Sequence, residues 1–238
     1  MAAVVRQWVG TTTVFATAGN WLPATVPLTT DPITIPKGAT YGIAGIYNAF
    51  YPVTSGDYPS FTYEAGCSVA IGSRQNPLWL VLTASTGHLD LYGSGACYFT
   101  GTFPIINVAN GQNFNIVDVE GVAPTLTTAN IFSGALRITT GAITAANILA
   151  GTLTYGDAGK CVTAITTLTL DSAGKCVYNS NQNITTINLH GTLDLSGDSR
   201  TFTAATVNWY PGGKIIDPHK RLTITTLTPA KGLTLSAS

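Results

Sequence analysis

Gly174-Lys175-Cys176-Val177-Tyr178, Thr186-Ile187-Asn188-Leu189, Gly191-Thr192-Leu193-Asp194-Leu195 and Thr206-Val207-Asn208-Trp209 follow one another in the second half of this chain. Each is a short run in which apolar and polar residues alternate, the pattern of a half-buried strand. Two series interleave. The first opens on glycine at positions 66, 87, 111, 134, 151, 174, 191, 213 and 232, with gaps of 21, 24, 23, 17, 23, 17, 22 and 19 residues. The second opens on Thr167, Thr186, Thr206 and Thr226, with gaps of 19, 20 and 20. Two or three short strands recurring about every 20 residues describe a solenoid. The expected fold is therefore all-β: a single-stranded parallel β-helix, right-handed because the uneven gaps depart from the strict hexapeptide pattern of left-handed forms. A sandwich of strands every 8–12 residues would not explain one motif returning nine times.

Working outward, residues 1–30 do not carry the repeat and hold Trp8 and Trp21. A solenoid exposes an apolar cross-section at its end, so this segment is expected to be an N-terminal cap. Residues 31–238 then form the β-helix, opening with Asp31-Pro32-Ile33-Thr34-Ile35-Pro36-Lys37-Gly38 as the first coil strand. The 28 residues from Gly38 to Gly66 exceed every later gap, and the excess, around 44–64, is rich in Tyr, Phe and Pro. An insertion of that composition is a natural contact surface. Trp8, Trp21, Tyr47, Phe50, Tyr51 and Tyr58 are the interface candidates.

Charged residues make up 9% of the 238, with eleven of each sign, against roughly a quarter in ordinary domains. A basic footprint for nucleic acid is missing, and no apolar run is long enough for a membrane helix. The N-terminus does not read as a signal peptide. The chain is expected to work where it is made, to be released by lysis, or to be the mature fragment of something longer.

Chemistry-bearing residues are sparse. Asp118 and Glu120 share one side of a strand, the geometry an acid–base pair would need, but they read first as solvated outward carboxylates. Asp90 and Asp194 occupy the same slot of the glycine motif, several coils apart. His88, His190 and His219 are too widely spaced to share a metal. No catalytic set, metal set or cofactor motif is assigned. Ala158-Gly159-Lys160-Cys161-Val162 and Ala173-Gly174-Lys175-Cys176-Val177 share one pattern. At equivalent corners of adjacent coils, Cys161 and Cys176 would stack about 4.8 Å apart, as a disulfide or as a ladder of free thiols. Lys214, Asp217, His219, Lys220 and Arg221 form the densest charged patch and read as a solvated end.

The lead-in Trp8-Val9-Gly10, Gly19-Asn20-Trp21, Val26-Pro27 and Asp31 to Gly38 resembles that of β-helix repeat proteins of bacteria and tailed phages. The resemblance covers about 40 residues and carries over no catalytic residue. It implies an accessory virion protein, a homotrimer that decorates or cements a capsid, with the major capsid protein or another virion protein as partner. A tailspike-like glycan-binding or glycan-cleaving protein and a bacterial surface adhesin fragment are the alternatives.

Overall fold

A computed structural model describes residues 4–10, 18–28, 30–43, 58–109, 114–117 and 123–230. Among them the one helical element is a single 3-10 turn, Ala18–Asn20, and the rest is short strands and turns. Nearly all strand pairs are parallel, between segments about 21 residues apart, which makes the molecule a β-solenoid.

The longest ladder sets the register. It runs Ile33, Phe61, Leu89, Ile106, Ala129, Ala146, Leu168, Ile187, Val207, Leu227, each directly beside the next. From Ile33 to Val207 these side chains are completely buried. The threonine series keeps the same register, with Thr167 beside Thr186, Thr206 and Thr226 in turn. Alternation turns every second residue outward, and those residues also stack. Asn107 Nδ2 donates to Asp90 Oδ1 at 2.8 Å, Asn130 to Asn107 at 3.0 Å and Asn147 to Asn130 at 3.0 Å. Further along, Asn188 donates to Thr169 Oγ1 at 3.2 Å and Asn208 to Asn188 at 2.8 Å. An amide carries both a donor and an acceptor, so asparagine can pass a hydrogen bond from coil to coil.

A second ladder joins Ile71, Cys97, Phe114, Leu136, Leu153, Cys176, Leu193 and Ile215. The glycine motif mostly leads into this one. The reason is close stacking at the preceding corner: a Cβ on Gly151, where φ is +89°, would lie 2.2 Å from the Gly134 carbonyl oxygen. Gly87 breaks the rule, because the strand it opens, His88–Leu91, belongs to the first ladder. Asp90 and Asp194 therefore do not share a slot. The same motif serves two faces of the solenoid, since its pattern encodes a corner and a strand but not which corner. A third, shorter ladder pairs Phe103 with Leu126, Ile143 with Ile165, and Ile184 with Ala204 and Ile224.

The lead-in lies across the first coil. Arg6–Trp8 pairs in parallel with Ile33–Ile35 and antiparallel with Trp21–Leu22. Trp8 and Trp21 meet edge-on with ring centres 5.0 Å apart, a favoured aromatic geometry. Both are buried, and Trp8 Nε1 donates to the Tyr41 carbonyl at 2.8 Å. Beneath them Arg6 Nε meets Asp31 Oδ2 at 2.7 Å, shielded from water. Burial alone would raise the Asp31 carboxyl. The Arg6 hydrogen bond and the amides of Leu28 and Val4 outweigh it and hold the group below its usual range.

Inward and outward positions of one strand should differ sharply in cost. Ile187→Ala removes a fully buried side chain between Leu168 and Val207 and is expected to cost about 2–5 kcal/mol. Asn188→Ala, one residue along, removes two half-buried hydrogen bonds and should cost about 1–2 kcal/mol. Urea unfolding of the two variants reads the difference; equal costs would contradict the assigned faces.

Candidate functional site

Several charged residues lie along one edge of the solenoid, in the second ladder and the turns that leave it. There Arg74 and Arg137 bracket Asp157. Arg74 Nη2 lies 3.2 Å from one carboxylate oxygen, and Arg137 Nη2 hydrogen-bonds the other. Arg74, Thr139, Thr140, Asp157, Lys160 and Thr163 line an open depression. Two guanidiniums thus take both oxygens of one carboxylate, and exposed Lys160 lines the same depression.

Further along the edge, Asp198 ties two turns together. It accepts from the backbone amides of Gly159 at 3.0 Å, Ser199 at 2.7 Å and Arg200 at 3.0 Å. The Arg200 guanidinium adds contacts of 2.7 to 3.2 Å. Burial opposes ionisation here, but these donors win and the carboxyl is held far below its usual range. A carboxylate fixed this way is a turn staple.

Arg221 is the largest departure from the sequence reading. It belongs to the charged patch expected at a solvated end, yet it is fully buried. Its guanidinium donates to four carbonyls: Arg200 at 2.8 Å, Tyr178 at 2.8 Å, Leu195 at 3.0 Å and Ser180 at 2.9 Å. It also lies 5.5 Å from the Phe202 ring centre. Burial pushes the group down from its ordinary value. Asp217 fixes the backbone beneath it, accepting from the amides of Arg221 and Leu222 at 2.9 Å each. Three coils are clamped to one planar fork, geometry that a lysine cannot reproduce.

Trp8, Trp21 and Tyr58 are all buried, so none presents a contact surface; their indoles and ring fill the N-terminal coils. Tyr47, Phe50 and Tyr51, like Asp118 and Glu120, lie outside the described residues. Cys161 and Cys176 are free and do not occupy equivalent corners. Cys176 sits in the second ladder between Leu153 and Leu193, whereas Cys161 belongs to the turn that follows the strand Ile143–Tyr155. The shared Ala-Gly-Lys-Cys-Val pattern is met once as strand and once as loop. Burial raises the Cys176 thiol well above the ordinary range, which keeps it protonated and inert. His88 lies 3.4 Å from Asp90, His190 stacks on Tyr210 at 3.9 Å, and His219 borders the Asp198 turn. Among the described residues no group of His, Cys, Asp and Glu is placed to hold a metal ion.

Neither family models, nor curated proteins, nor solved structures give a match to this chain.

Asp194 offers a pH test. Its carboxylate meets Lys175 Nζ at 2.8 Å and accepts from the Ser196 hydroxyl and amide. Burial would raise it, but these partners outweigh burial and hold it at about 2. A depressed carboxyl contributes stability above its unfolded pKa, near 3.9, and loses it as pH falls toward the folded value. With half-exposed Lys175 screened by solvent, the contribution is about 1–2 kcal/mol, lost between roughly pH 4 and pH 2. Asp194→Asn should flatten the fall of stability across that window, measured by urea titrations at stepped pH; an unchanged slope would show that the pair contributes nothing.

Proposed function

We propose that this protein is a non-enzymatic structural element, a rigid solenoid that decorates or cements a virion shell. The observation that supports this most is the engagement of the carboxylates among the described residues. Asp31, Glu64, Asp90, Asp157, Asp171, Asp194, Asp198 and Asp217 all hold backbone amides, cations or neighbouring side chains of the same chain. Acid–base chemistry needs a carboxyl poised to exchange a proton with a bound molecule. These instead fix turns and join coils. The ladders serve the same end, since parallel pairing and stacked amides resist bending along the whole rod.

The virion setting follows from the likeness of the Trp8 to Gly38 lead-in to phage and bacterial β-helix repeat proteins. The partner in this reading is a shell protein. Contact falls to exposed surface such as the edge carrying Arg74, Arg137 and Lys160, where the two guanidiniums keep donors beyond those that meet Asp157 and can engage acidic groups at modest energy.

An antibody against the purified protein, applied to particles banded from a lysate of the strain carrying the gene, tests this. The expected result is regular labelling of intact particles and a fixed protein-to-shell ratio by mass spectrometry. Protein found wholly in the soluble fraction, or shortening of host polysaccharide by the purified chain, would overturn the reading.

A further inference from the structure

The two ends of the solenoid are built differently. At the N-terminal end, Arg6–Trp8 is paired on both edges, by Ile33–Ile35 and by Trp21–Leu22, over a buried tryptophan pair. At the other end the last described strand, Leu222–Pro229, pairs along one edge with Phe202–Trp209. Among the described residues its second edge has no strand beside it. Leu227 is 39% exposed, whereas Val207, one rung below, is fully buried. Leu222 and Ile224 pack on the core from one side only. The strand reads Leu-Thr-Ile-Thr-Thr-Leu-Thr-Pro, without a charge. Natural proteins guard open edges with lysine, bulges or inward charges, and here only the terminal Pro229 does so.

The order of faces in this strand is palindromic. Leu222, Ile224, Leu227 and Pro229 stand above Phe202, Ala204, Val207 and Trp209, so they face the core. Thr223, Thr225, Thr226 and Thr228 face outward, and two consecutive outward threonines mark the corner between two faces of the coil. Antiparallel partners directly opposite each other share a face. If a second copy meets this edge with the two-fold axis at the Thr225–Thr226 corner, Leu222 opposes Pro229 and Ile224 opposes Leu227. Thr223 then opposes Thr228, and Thr225 opposes Thr226. Every apolar residue meets an apolar residue, every threonine a threonine, and the bend at the corner maps onto itself.

We propose that the open edge of Leu222–Pro229 is a self-association surface, on which two copies join tail to tail through an antiparallel strand pair. The solenoid core then runs unbroken from one copy into the other. The eight residues 231–238 are fewer than the 19 or 20 that separate successive rungs here. The paired edges of Arg6–Trp8 oppose head-to-tail stacking, so the assembly closes as a two-fold dimer and does not grow into a fibre.

Light scattering coupled to size exclusion, run on the full chain over a range of concentrations, tests this. The expected mass is twice the chain's 24.8 kDa. Leu227→Lys places a charge in both halves of the interface and should return the protein to monomer; its cooperative melting, followed in parallel, confirms that the chain stays folded. Thr223→Lys with Thr228→Lys opposes like charges at both outward pairs and should weaken the dimer about tenfold, whereas Thr223→Lys with Thr228→Glu should not. A chain of residues 1–230 should dimerise at least as well as the full chain. A full chain that is monomeric throughout would overturn the proposal. So would association unmoved by Leu227→Lys and the like-charge pair, or a monomeric full chain whose 1–230 form associates, since the tail would then be what covers the edge.

Discussion

Everything in this molecule depends on one repeated contact, the in-register parallel stacking of a strand on the strand one coil below. Neighbouring strands lie about 4.8 Å apart, which is also a good stacking distance for identical side chains. Leu168 on Ile187 on Val207 buries a continuous aliphatic column. The same register puts Asn130 over Asn107 and Asn147 over Asn130, where each amide satisfies its neighbour. A slip of one residue would turn every aliphatic outward and break each amide pair at once. Register, core and surface are therefore one constraint seen three ways.

That constraint explains how few charges the chain needs and where they go. Flat faces are served by Thr and Asn, which stack without repulsion. Turns do not repeat their backbone from coil to coil and so leave unmatched amides and carbonyls. Asp198, Asp217 and Arg221 stand there: Asp198 collects amides from two turns, Asp217 collects two more, and Arg221 serves four carbonyls. Arg221 gives up full hydration, and its planar donors satisfy carbonyls that would otherwise be buried without partners.

The repeat was legible in the sequence because stacking demands that like residues recur at coil spacing. Thr167, Thr186, Thr206 and Thr226 do stand in one row. What a motif of five residues does not carry is its position around the coil. Gly87-His88-Leu89-Asp90-Leu91 and Gly191-Thr192-Leu193-Asp194-Leu195 look equivalent, yet they serve different ladders, because corner lengths vary between coils. The cysteine pair failed for a related reason: Cys161 lies in a turn and Cys176 in a strand. Arg221 was hidden because its neighbours His219 and Lys220 are exposed, and burial of a cation depends on carbonyls 21 to 43 residues away. The expected surface role of Trp8, Trp21 and Tyr58 gave way to burial, which large aromatic side chains favour wherever a core end needs filling.

The register itself can be measured most directly through the asparagine row. In a perdeuterated sample with protonated amides, magnetisation transfer between side-chain amides reports neighbours within about 5 Å, the separation of adjacent strands. Cross-peaks linking Asn107 with Asn130 and Asn130 with Asn147, residues 23 and 17 apart in sequence, are the result this account predicts. Contacts that instead join strands some ten residues apart, as in an antiparallel sandwich, would contradict it.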